Sequence, residues 1–156
     1  MSTVPARSRI LIADDNPVNV ELLEAFLAET DCELAVAVDG RDTLEKVASF
    51  HPDLILLDVM MPKLSGFEVC KKLKSDDETK RIMILMVTAL NELGDIERAV
   101  QAGTDDFLSK PVNKLELTKR VQNMLLLRSV ADENERLRQY IAKMEDVAGP
   151  MAAKGE

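Results

Sequence analysis

Residues 54–62 read LILLDVMMP, an apolar run with the composition of a buried strand that ends in one carboxylate, Asp58, and stops at a proline. A lone buried carboxylate is costly unless something pairs with its charge, so Asp58 requires partners from elsewhere in the chain. Similar runs supply them: Asp14 and Asp15 close RILIADD, Thr88 closes IMILMVT, and Lys110 closes DDFLSK before Pro111. Three carboxylates, a hydroxyl and an ammonium brought together would carry an excess of negative charge, which a hard divalent cation relieves. Mg²⁺ suits such a site because it takes one or two carboxylates, keeps waters and accepts phosphate oxygens. An aspartate there can attack phosphorus, since phosphoryl transfer is largely a matter of position and charge neutralisation.

Those four strand ends meet only if the elements between them bring them to one edge, and the sequence alternates strand-like and helix-like segments five times. Strands are expected at 9–14, 33–38, 53–58, 82–87 and 105–110. The first helix spans 21–29 and is opened by Asn16 as N-cap with Pro17 in its first turn. The second places Leu44, Val47 and Ala48 on one face, and the third opens with a Ser65/Glu68 capping box. A fourth helix is expected to turn Ile96, Ala99 and Val100 inward and to end at Gly103 in the left-handed position. Asn113 with Glu116 caps the fifth. Alternating βα units with apolar strands imply a parallel sheet covered on both faces, a doubly wound α/β fold for which the flavodoxin-like strand order 2-1-3-4-5 is one common solution, with its site at the carboxyl ends of the strands.

The bulk composition narrows the function classes. The 156 residues, 46% of them hydrophobic, accommodate one domain with a real core and an appendage. A formal net charge of −8 argues against direct nucleic-acid binding and against an anionic membrane surface. Cys32 and Cys70 form neither a CxxC pair nor a disulfide framework and read as free thiols of a reducing cytosol. The N-terminal MSTVPARSR lacks an apolar signal region, and no run reaches the length of a membrane span, so a cytoplasmic location is expected. His51, the sole histidine, precedes Pro52 in a turn and reads as a surface residue ending a helix.

DD after the first strand, D-x-x-M-P after the third, T-A after the fourth and F-L-S-K-P at the fifth together resemble the CheY-like receiver domain of response regulators, over roughly residues 8–127. The resemblance implies that Asp58 accepts a phosphoryl group from a sensor histidine kinase or a histidine phosphotransfer protein. It implies that Asp15 and Asp58 bind Mg²⁺ directly with the Met60 backbone carbonyl, and that Asp14 acts through a metal-bound water. Thr88 and Lys110 would contact the phosphoryl oxygens, and Phe107 would be the aromatic switch that turns inward as Thr88 moves.

Two rival chemistries fit the residues poorly. A flavin-binding carrier needs hydroxyl and glycine donors after the first strand, where DDNPVN offers two anions. An aspartyl phosphatase of the haloacid-dehalogenase type needs a general acid two residues beyond its nucleophile, a position held here by Met60.

Beyond the receiver, residues 128–148 continue as a helix. Leu127, Asn134, Ile141 and Ala148 fall seven apart and interleave with Val130, Leu137 and Met144 as an a/d heptad register. Glu133 at g and Arg138 at the following e favour a parallel pair, so a homodimer is expected. The alternatives are a helix packed back on its own domain or a monomeric phosphorelay shuttle. Residues 1–7 and 149–156 read as disordered ends. In the family, similar helices lead to an output module, so the downstream partner is either a separate protein or an output domain.

Overall fold

The computed structural model describes residues 7–90 and 92–148; of the ends expected to be disordered, 1–7 and 149–156, all but Arg7 lie outside the described residues, and Arg7 lies 2.9 Å from the Asp31 carboxylate. Five strands and five helices alternate: β1 (Ser8–Ala13), α1 (Pro17–Phe26), β2 (Cys32–Ala37), α2 (Gly40–Phe50), β3 (Leu54–Leu57), α3 (Gly66–Lys74), β4 (Met83–Thr88), α4 (Leu93–Ala102), β5 (Asp106–Ser109) and α5 (Lys114–Ala148). The strands form one parallel sheet in the order β2-β1-β3-β4-β5. This is the expected doubly wound architecture.

Side chains alternate across a strand, and the core divides accordingly. Leu11, Ile55, Leu57, Ile84 and Met86 pack on one face with Val47 of α2, Val69 and Leu73 of α3 and Ala99 of α4. Ile10, Ile12, Leu54, Leu56, Leu85 and Val87 pack on the other with Val20 and Leu23 of α1 and Leu117, Val121 and Met124 of α5. All four residues of β3 are buried, which explains why its sequence shows no polar alternation.

The helix signals in the sequence act as expected at most ends. Asn16 accepts from Val18 N–H with Pro17 in the first turn, both halves of the Ser65/Glu68 capping box form, and Asn113 Oδ1 accepts from Glu116 N–H at 3.0 Å. Gly103 ends α4 at φ 93°, which only glycine adopts readily. His51 ends α2 in the left-handed region, exposed.

Three details differ from expectation. The first helix stops at Phe26, and 27–29 form a turn. In α2 the buried positions are Gly40, Thr43 and Val47, with Leu44 packed at the margin and Ala48 exposed. In α4 only Ala99 and Ala102 are buried, whereas Ile96 and Val100 are 39% and 66% exposed. The small residues let α4 lie close to the sheet and α3, and Arg98 stacks over the Phe67 ring, 4.3 Å from its centroid.

α5 runs 35 residues without interruption, about 52 Å at 1.5 Å per residue. Where it passes the receiver base it is clamped. The Arg128 guanidinium donates to the carbonyls of Asp53 and Arg81 at 3.3 and 3.2 Å and lies 3.5 Å from the Asp53 carboxylate. Arg81 in turn reaches Glu135 at 3.4 Å. Leu137 lies nine residues beyond Arg128, about two and a half turns, so the clamped face and the Val130/Leu137/Met144 stripe are on opposite sides of the helix.

Both cysteines are free and buried. Burial pushes the Cys70 thiol up to about 12, and its Sγ–H donates to the Ala102 carbonyl at 3.3 Å. Burial also raises Cys32. Since the thiolate is the reactive form, Ellman's reagent should label neither thiol appreciably in the native protein within minutes and both once guanidinium unfolds it. Rapid native labelling would show that these positions open readily. Among the described residues, no helix is long and apolar enough to cross a membrane.

Candidate functional site

The sheet register builds the site. Ala13 pairs with Leu57, so the next residues, Asp14 and Asp58, emerge side by side from the centre of the sheet. Backbone bonding continues one step past the strands: Asp58 N–H donates to the Ala13 carbonyl at 2.9 Å and Asp14 N–H to Ala37 at 3.1 Å. Across the sheet Thr88 pairs with Ser109, and Lys110 N–H donates to the Thr88 carbonyl at 2.9 Å. The Lys110 ammonium therefore enters from β5, followed by a cis peptide to Pro111.

Lys110 Nζ donates to Asp14 Oδ2 at 2.9 Å and to Asp58 Oδ2 at 3.2 Å. The other oxygen of each carboxylate accepts a backbone N–H, Asn16 for Asp14 at 2.9 Å and Met60 for Asp58 at 3.3 Å. The buried Asp58 of the sequence thus has its partner. Asp15 joins from the exposed side, and one oxygen from each of Asp14, Asp15 and Asp58 lies within 4.8 Å of the others.

Burial alone would lower the Lys110 pKa, but hydrogen bonds and charge from Asp14 and Asp58 outweigh it and leave the ammonium raised. Lys110 is therefore cationic at neutral pH. With the folded value above the unfolded one, the pairs stabilise the fold below about 10.4 as long as the carboxylates are ionised, and at the alkaline end they are lost as pH rises through the folded value. Three carboxylates against one ammonium still leave an anionic, all-oxygen donor set, which fits a hard cation such as Mg²⁺. The residues able to hold it are Asp14, Asp15 and Asp58.

The other expected residues sit around this centre. Thr88 is fully buried at the end of β4, and its Oγ1 accepts from Leu90 N–H at 3.4 Å. Among the described residues its hydroxyl makes no bond to the three carboxylates, so it shares the edge without joining the ion-paired cluster. Phe107 is half-buried against the core face formed by β4 and α4. The Met60 side chain is 62% exposed beside Asp58. Sequence reasoning missed the Asn16 and Met60 backbone donors, which no side-chain pattern announces, and the Asp53–Arg128 clamp at the opposite edge.

A five-stranded 2-1-3-4-5 sheet with an acidic triad and a lysine at its carboxyl edge defines a phosphoacceptor signalling module. The model of the response regulator receiver domain matches residues 10–122, and the chain belongs to that family. It is 41% identical over 145 residues to the response regulator PleD of Caulobacter vibrioides, a match covering 93% of this chain and 32% of that protein. It is 39% identical over 117 residues to the DNA-binding dual master transcriptional regulator RpaA of Synechocystis, covering 75% of this chain and 48% of the relative. The chain thus spans a third to a half of the length of these relatives. Among solved structures, a CheY-like receiver domain protein from Methanospirillum hungatei superposes with a TM-score of 0.75 at 25% identity, covering 81% of this chain and 99% of the other. The receiver domain of sensor histidine kinase PA1611 from Pseudomonas aeruginosa, described with a magnesium ion coordinated in its active site cleft, gives 0.71 at 31% identity, covering 77% and 98%.

Proposed function

We propose that the chain is a phosphorylation-controlled signalling protein in which residues 8–127 form the receiver, residues 128–148 a dimerising helical extension, and Asp58 is the phosphoacceptor. The observation that carries this reading is the Asp14–Lys110–Asp58 bridge, which sets a buried carboxylate beside one cation and two further anions. The donor is a phosphohistidine of a sensor kinase or phosphotransfer protein. One Asp58 carboxylate oxygen attacks phosphorus, the P–N bond to the donor imidazole breaks, and its electron pair remains on the imidazole nitrogen. When bound, Mg²⁺ supplies neutralisation of the charge on the phosphoryl oxygens. Lys110, already within reach of the Asp58 oxygen, contacts the incoming group from the β5 side. Thr88 moves toward the phosphoryl group, and Phe107 turns inward to fill the space that it leaves. The protein works in the cytoplasm, and its output passes to a downstream protein or output domain.

Acetyl phosphate in Mg²⁺ should add one phosphoryl group, and peptide mapping should locate it at Asp58. Modification at any other residue would overturn the assignment.

The signal should be long-lived. Water that hydrolyses the acyl phosphate passes the side chains two residues beyond Asp58 and Thr88, and these are the apolar Met60 and Leu90. Neither can orient or activate water. Replacing them with Asn and Glu should speed decay of the phosphorylated state about tenfold or more, read by mass after the donor is removed. Equal decay would show that water access does not limit the lifetime.

The extension supports a parallel homodimer. Val130, Leu137, Ile141 and Met144 are exposed on the face turned away from the Arg128 clamp, so a second copy can approach without displacing the receiver.

A further inference from the structure

The loop between β3 and α3 carries Met60, and the residues that open α2 hold it from the side. Gly40 N–H donates to the Pro62 carbonyl at 3.2 Å, an oxygen that also accepts from Leu64 N–H at 2.9 Å. The approach is so close that a Cβ on Gly40 would stand 2.2 Å from the Leu64 carbonyl oxygen and 2.5 Å from Leu64 Cβ. Beside it, Lys63 has φ 72°, and its ammonium reaches the Asp39 carboxylate at 3.4 Å. Asp39 is anchored in turn, because its Oδ1 caps α2 by accepting from Asp42 N–H at 2.7 Å. A non-glycine residue with positive φ is held against its own preference, which marks a loop whose position is over-determined by its surroundings. From the other end, Gly66 N–H donates to the Val59 carbonyl at 2.9 Å, and a Cβ on Gly66 would lie 2.4 Å from the Asp58 carbonyl oxygen.

We propose that Asp39, Gly40 and Lys63 are positioning residues for the phosphorylation site: they latch the β3–α3 loop to α2 and so fix the Met60 carbonyl beside Asp58, where it completes the Mg²⁺ donor set. The inference rests on the metal-assisted phosphoacceptor reading. The three residues act through the loop, whose backbone would offer the Met60 carbonyl to a bound cation. Groups that orient a metal ligand typically change metal affinity by ten- to a hundredfold when altered, because the ligand must then be organised at the moment of binding. A side chain at position 40 must displace backbone, since the nearest atom is a carbonyl oxygen rather than the end of a flexible side chain.

Mg²⁺ titration by calorimetry on the full chain tests this with three variants. Gly40→Ala should weaken Mg²⁺ binding about tenfold while recovering most of the parent rate with acetyl phosphate at saturating Mg²⁺. Lys63→Met should weaken it about two- to threefold, as loss of an exposed pair allows. The sign is informative, because deleting a positive charge near an acidic site would by electrostatics alone tighten cation binding. Gly94→Ala, where an added Cβ meets nothing within 4 Å, should bind as the parent does. A purely structural role for Gly40 would lower the melting temperature and leave the Mg²⁺ affinity of the folded protein unmoved. A folded Gly40→Ala protein with affinity within about twofold of the parent overturns the latch. Should that variant not fold, Lys63→Met binding as tightly as the parent or tighter overturns it. A parent that binds no Mg²⁺ would instead remove the phosphoacceptor reading on which the latch depends.

Discussion

Asp58→Asn should abolish phosphorylation by acetyl phosphate or phosphoramidate in Mg²⁺ while leaving the fold intact. Asn keeps the shape of the side chain, and its single oxygen can still accept from either Met60 N–H or Lys110, the contacts at 3.3 and 3.2 Å in the parent, while its NH2 replaces the other acceptor. What disappears is the anionic nucleophile. The substitution also removes one of three crowded carboxylates that share a single ammonium. Without Mg²⁺ the variant should therefore be at least as stable as the parent, by up to about 1 kcal/mol, or a few degrees in melting temperature for a domain of this size. Thermal melts with and without Mg²⁺, together with intact mass after donor treatment, read both effects. Omitting Mg²⁺ should likewise block labelling of the parent, because the uncompensated carboxylates repel the donor. Labelling of Asp58→Asn at the parent rate would mean that the nucleophile lies elsewhere.

Leu137→Asp should convert a dimer into a folded monomer that still accepts phosphate. Leu137 is 56% exposed and sits at a d position midway along the extension, on the side away from the Arg128 clamp. In a parallel pair each copy would bury that side chain against its mate, worth about 1.5–3 kcal/mol per leucine, and the substitution would put two carboxylates in its place. With a tenfold change in affinity per about 1.4 kcal/mol, the dissociation constant should rise by about a thousandfold or more. The Glu133–Arg138 pair cannot compensate, since an exposed ion pair contributes at most about 1 kcal/mol. Asn134→Leu should act oppositely, tightening association while loosening its stoichiometry, because a buried Asn at a selects the two-stranded, in-register arrangement at a cost in stability. Sedimentation of the three proteins separates these outcomes, and a dimeric Leu137→Asp would move the interface to the receiver itself.

Much of the site was legible because its parts stand at strand ends. Short continuous apolar runs and cap residues gave the element order, and a parallel sheet forces every carboxyl end to one edge, so Asp14, Asp58, Thr88 and Lys110 had to be neighbours once the strands were placed. The burial of Asp58 followed from the apolar run that it ends, and its need for a cation from charge. Which groups touch was less legible. Lys110 bridges Asp14 and Asp58, whereas Thr88 shares the edge and bonds locally to Leu90 N–H.

Helix faces show the same division. Apolar spacing in α4 pointed to Ile96 and Val100 as core, yet the helix buries Ala99 and Ala102, because close packing against α3 and the sheet favours small side chains there and Arg98 covers Phe67. In α5 the heptad pattern named an outward stripe, but the direction that stripe faces is set by the Arg128 grip on the carbonyls of Asp53 and Arg81, just before β3 and β4, and by Arg81 reaching back to Glu135. The sequence by itself determined the alternation of strands and helices, the strand-end chemistry and the length of α5, since these depend on local periodicity and on the geometry common to all parallel sheets. Only the tertiary structure decided the α4 face, the Arg128 clamp and the grip of Gly40 on the β3–α3 loop. Each of these is a contact between residues distant in the chain, where several local arrangements have similar energy and the packing of the whole domain selects one.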